Sequence, residues 1–125
     1  MKIQLENWNV QDLSFSVLKD EGRKENSFSL NTSNFFPEED KKSFGVEFNI
    51  EIKDKRFNLI IESIFIFSLE EEVNEEFKVS AFPKINAPAI AFPYLRAYVS
   101  NLTLQSGFDP IILPSINFVR LAEKD

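Results

Sequence analysis

From Phe44 to Lys53 apolar and polar residues change places at every step, with Phe44, Val46, Phe48, Ile50 and Ile52 set against Gly45, Glu47, Asn49, Glu51 and Lys53. A period of two puts one apolar face on a strand, which is then half-buried. Asp54-Lys55-Arg56 makes a short charged turn into a second alternation through Phe57, Leu59, Ile61, Ser63, Phe65 and Phe67. Toward the end of that run Ile64 and Ile66 make the other face apolar as well. This suits a central strand, or one whose outer face meets a partner. The N-terminal segment changes phase twice, from Ile3 and Leu5 to Trp8 and Val10, then to Leu13, Phe15 and Val17. Two phase changes suggest a bulge or bend between them. After the polar turn from Lys19 to Glu25, a further strand runs through Phe28, Leu30 and Thr32 into a loop containing Phe35-Phe36-Pro37. Four strands joined by short turns read as an antiparallel meander.

The character changes at Glu70. The acidic run to Glu76, together with Pro83, Pro88 and Pro93, breaks any further strand ladder. A helix is expected from about Pro88 to Ser106, ended by Gly107 in a left-handed cap with Pro110 shortly beyond. Pro88 fits the first turn, whereas Pro93 predicts a kink or the true start. Ile90, Tyr94, Ala97, Tyr98 and Leu102 fall on one side, and Ala91, Leu95, Val99 and Leu104 extend the apolar surface round the rest. A helix on a sheet needs only one apolar stripe. The excess implies two covers, the sheet on one side and another subunit on the other; a tightly wrapped monomer is the alternative. Arg96, the only charge in that stretch, reads as a buried ion pair at the assembly interface in preference to an ordinary exposed charge.

With 125 residues the chain is one domain, 1–125, and its 14 phenylalanines and 43% apolar content make it globular. A single copy of this size struggles to hide so many rings. The formal charge of −6 disfavours nucleic acid and anionic membrane surfaces as partners. Cysteine and histidine are both absent from the sequence, which removes disulfides, thiolate nucleophiles, imidazole bases and the usual zinc ligands. No enzyme, metal site or cofactor is expected. Gly22, Gly45 and Gly107 do not build a phosphate loop, so no nucleotide is required. The N-terminus lacks the apolar stretch of a signal peptide, and a cytoplasmic protein is expected.

Phe92-Pro93-Tyr94 with Arg96 two residues on, then Ser100, a helix ended by Gly107-Phe108, Pro110, Leu113, and Pro114 before Asn117-Phe118 form an ordered series. In it the chain resembles the SecB family of protein-export chaperones. Weaker similarity covers Ile66-Phe67-Ser68-Leu69 and Gln11-Asp12-Leu13-Ser14-Phe15. The resemblance implies an α+β fold, a four-stranded antiparallel sheet with a long C-terminal helix packed on one face, and a homotetramer built as a dimer of dimers. Ala97 and Val119 stand where the family usually has acids. The family's zinc-binding tail has no counterpart after Ala122, so docking on the translocase motor is not implied by a tail. Of the acidic positions the family offers that motor, one falls at Asp12, and the others near Ser16 and Ile60.

These features point to an ATP-independent holdase binding unfolded or precursor polypeptides through apolar grooves. Phe35-Phe36 in the crossover loop and Ile111-Ile112-Leu113 after the helix are expected to line such a groove, with Phe82 and Phe118 at its floor; closing the ends of the core is their alternative role. Tyr94, Arg96, Tyr98, Asn101 and Leu102 are expected at the oligomer interface. The run Glu70 to Glu76 is a solvated surface or a docking patch for a basic partner. Two other readings stay open: a SecB-like chaperone dedicated to one partner, such as the antitoxin of a toxin-antitoxin pair, and an oligomeric adaptor that holds no unfolded chains.

Overall fold

The structure, a computed structural model, describes residues 2–19 and 25–123. The chain divides into two compact units, residues 1–73 and 74–125.

The first unit is a sheet of four antiparallel strands, β1 (Ile3–Val17), β2 (Ser27–Phe35), β3 (Ser43–Lys53) and β4 (Phe57–Leu69), in the spatial order β1-β4-β3-β2. This is a Greek key and corrects the expected meander. A meander would put the fourth strand at an edge, but Ile64 and Ile66 give it apolar residues on both faces. β4 accordingly lies between β3 and β1, and β1 crosses over to reach it. Residues 20–24 of the turn expected after β1 lie outside the described residues.

The phase changes in β1 are real irregularities: its register on β4 shifts between Leu5 and Asn7 and again between Val10 and Asp12. Each inserted residue returns the apolar set to one face. That face holds the core, with Phe44, Val46, Phe48, Ile50, Phe57, Leu59, Ile61, Phe65 and Phe67 almost wholly buried. Its rings run together, since Trp8 stacks on Phe65 at 4.8 Å, Phe48 meets Phe65 edge-on at 5.5 Å, and Phe44 stacks on Phe67 at 5.2 Å. Offset and edge-to-face pairs of this kind each add about 0.5–1.5 kcal/mol beyond burial. At the β3–β4 turn, buried Asp54 accepts hydrogen bonds from the Arg56 backbone N–H at 2.8 Å and from Arg56 Nε at 2.9 Å.

The second unit contains α1 (Glu75–Lys78), a π-helical turn (Phe82–Asn86), α2 (Ala87–Gln105) and α3 (Phe118–Glu123). Asn74 caps α1 by accepting from the Phe77 N–H, with Glu75 and Glu76 in the first turn, where the helix dipole favours acids. Neither α1 nor α3 is expected from apolar periodicity, because each is too short to show one. α2 starts before Pro88 and continues through Pro93, so Pro93 does not mark its start.

Candidate functional site

One side of α2 is buried through Ala87, Ala91, Leu95, Val99 and Thr103, a run of steps of four joined by Pro88 and Phe92. The opposite side carries Ile90, Tyr94, Ala97, Asn101 and Leu104, all exposed. Leu104 therefore does not share the side of Leu95 and Val99, as its apolar character alone suggested; Thr103 takes that place. Of the expected interface residues, Tyr94 and Asn101 lie on the open side, Tyr98 and Leu102 are half-buried beside it, and Arg96 turns away.

Arg96 is half-buried, and among the described residues no carboxylate pairs with it. Its Nε donates to the Leu113 carbonyl at 3.1 Å. One turn along α2, Ser100 Oγ donates to the Ile111 carbonyl at 2.6 Å. Further along, Thr103 Oγ1 accepts from the Ile111 N–H at 2.9 Å while lying 2.9 Å from the Val99 carbonyl, to which it donates. The loop after α2 thus runs back along the helix, fastened at both ends of the Ile111 residue and again at Leu113. Ser100 was legible as part of the sequence series. Thr103 was missed, and its signal was the spacing Ala91, Leu95, Val99, Thr103, which sets a hydroxyl at the end of a buried row.

α2 ends in a Schellman motif: the Gly107 N–H bonds the Leu104 carbonyl and the Phe108 N–H bonds the Thr103 carbonyl, with Gly107 at φ 96°. After the fastened loop, Asn117 Oδ1 accepts from the Arg120 N–H and caps α3. Its neighbour Phe118 is buried and meets Phe92 edge-on at 5.7 Å. The Asn-Phe pair is thus a helix cap followed by a core plug.

The seven expected client-binding residues do not behave alike. Ile112 is 77% exposed. Ile111 and Phe82 are half-buried, the latter with its ring 6.3 Å from that of Phe77. Leu113 and Phe118 are only 2% and 6% exposed. In the first unit Phe35 is the last residue of β2, not part of a crossover loop, and the stretch after it is the β2–β3 connection. Its ring occupies the space a Cβ would need at Gly45, its cross-strand partner. Phe36 stacks on Phe44 at 6.1 Å.

Asp12 is exposed on β1 and faces Glu62 across the ladder, and Glu47, Asn49 and Glu62 line a shallow depression on the same sheet. Among the described residues no group of acidic side chains is arranged to hold a metal ion, and no helix is long and apolar enough to cross a membrane.

Comparison with known proteins agrees with this architecture. A SecB-like chaperone of Mycobacterium tuberculosis, solved in complex with a ChAD peptide from an antitoxin, superposes with a TM-score of 0.70 at 17% identity, over 91% of this chain and 87% of that one. An uncharacterized protein of Methanocaldococcus jannaschii is 38% identical over 68 residues, which are 54% of this chain and 44% of its own. Protein-export protein SecB of Anaplasma phagocytophilum is 38% identical over 60 residues, 47% of this chain and 38% of its own. The chain thus spans less than half the length of these two relatives. The family described as preprotein translocase subunit SecB matches residues 1–125, from the first strand to the last helix, and the chain belongs to it.

Proposed function

We propose that this protein is an ATP-independent holdase that binds non-native or precursor polypeptides and keeps them from aggregating, in the service of protein export. The observation that carries this reading is the family match across residues 1–125. Apolar contact is non-directional, so a surface led by Ile112 tolerates many sequences. The role needs no cofactor and assigns the chain no catalysis.

Copies associate through the open side of α2, with Tyr94 and Asn101 at the seam, into a dimer of dimers. Repeating a weak site around one particle converts it into avidity along a long client. The exposed pair Asp12 and Glu62 supplies the negative surface for a translocase motor.

A second reading, a chaperone dedicated to one partner such as an antitoxin, is favoured by one observation: the structural neighbour was solved with an antitoxin peptide. Two measurements decide. Diluting a chemically unfolded protein into buffer with this one should suppress its aggregation, and unaltered light scattering would refute the holdase. Pull-down from native cytosol should then return a spread of precursors for general export, or one dominant small protein for a dedicated partner.

A further inference from the structure

Three polar side chains on α2 fasten a loop whose middle residue is the most exposed large apolar residue among those expected to meet a client. We propose that Arg96, Ser100 and Thr103 are positioning residues that hold the 111–113 loop in one shape, so that Ile112 is presented as a pre-set anchor for the client. This deepens the holdase reading and rests on it.

Thr103 is wholly buried, yet its hydroxyl is fully employed, donating to the helix and accepting from Ile111. Buried polar groups are expensive unless paired. What the hydroxyl adds is a partner for one N–H of a loop. Ser100 supplies the matching partner for the carbonyl of that same residue, and Arg96 holds the carbonyl of Leu113. Both flanks of Ile112 are therefore fixed: Ile111 by its two backbone groups, and Leu113 by its carbonyl and its 2% exposure. Two neighbours held inward leave Ile112 turned out. A side chain held in its bound geometry before the client arrives loses less freedom on binding than one on a loose loop.

The second observation is chemical. The seven expected client residues are phenylalanine, isoleucine and leucine, and the one methionine in the chain is Met1. Binding surfaces that adapt to many shapes are commonly rich in flexible methionine. A stiff isoleucine on a fastened loop takes the other route, in which shape is fixed in advance.

The test uses the whole protein in its assembled form, with chemically unfolded protein as the client. Thr103→Val keeps the shape of the side chain and removes the acceptor, and Ser100→Ala removes the donor. Each should accelerate hydrogen exchange at the Ile111 amide and raise the concentration giving half-maximal suppression of aggregation by about fivefold or more, with particle mass unchanged. Thr103→Ser restores the hydroxyl and should restore holding. Ile112→Ser should weaken holding to a similar degree, and adding it to Thr103→Val should bring little further loss, because both act through the same anchor. The proposal is overturned if Thr103→Val frees the Ile111 amide while holding stays at the wild-type level, or if the two substitutions are fully additive. Should Thr103→Val not fold, Ser100→Ala carries the same two outcomes. A wild-type protein that leaves aggregation unaltered fails in a different way, since that overturns the holdase itself and the role of the loop with it.

Discussion

Asp54 shows how one buried charge can be held in place by its own turn. Burial pushes its carboxyl up, but the hydrogen bonds from the Arg56 side chain and backbone N–H, with the guanidinium charge, together outweigh it and hold the group below its ordinary 3.8. An acid lowered on folding stabilises the fold above its unfolded value, and that contribution disappears as pH falls through the folded value. Asp54→Asn should therefore cost about 1–3 kcal/mol at pH 7 in urea titration, and the gap to wild type should close at pH values below 3.8. A gap unchanged at low pH would show that packing, not charge, holds the turn. Gly45 is the other residue whose role is local. Because the Phe35 ring fills its Cβ position, Gly45→Ala should destabilise the sheet by about 1–3 kcal/mol, and by much less in a Phe35→Ala background. Equal costs in both backgrounds would deny the contact. It also explains why Phe35 was misread: a phenylalanine before Phe-Pro looks like loop apolar surface, and only the strand register reveals the glycine it covers. Removing Phe35 or Phe36 would damage a hairpin, so Ile112→Ser is the cleaner probe of client contact.

Among the elements, those with long periodic runs were legible and those defined by pairing were not. β3 and β4 could be read to within a residue or two of their ends, and an irregularity in β1 from its phase changes, though not that there are two. Strand order depends on which edges meet across the chain, and alternation along a strand carries no direct record of it; only the apolar outer face of β4 hinted at its central place. The fastened loop was half legible for the same reason, since Ser100 belongs to a recognisable series whereas Thr103 resembles any helix residue until its partner Ile111 is known. The stop of α2 was legible because its chemistry is local. Gly107 has φ 96°, where a Cβ is strained even though nothing lies within 4 Å of where it would sit. Gly107→Ala should cost about 1 kcal/mol through backbone strain alone, and Gly107→Asn less, by thermal or urea denaturation. Alanine as stable as glycine would mean the Schellman cap contributes nothing.

For the whole molecule, the balance between apolar surface and charge sets what copies do to one another. Tyr94, Ile90 and Leu104 are between 45% and 55% exposed on one side of α2, a helix whose one charged residue, Arg96, is turned to the loop. The net charge of −6 opposes indiscriminate clumping, so such a stripe favours one defined seam over general aggregation. Tyr98 and Leu102 are half-buried within the chain, and an acid at either would disturb the fold as well as the seam. Tyr94 separates the two effects. Its exposure means that Tyr94→Glu should leave the melting curve of the separated subunit nearly intact, within about 0.5 kcal/mol. In the proposed assembly the same carboxylate would be buried without a partner, which costs several kcal/mol at each seam. Light scattering should therefore show the particle falling to smaller species at micromolar concentration, while circular dichroism keeps its folded signature. An unchanged particle mass would remove α2 from the seam and leave its open stripe as client surface.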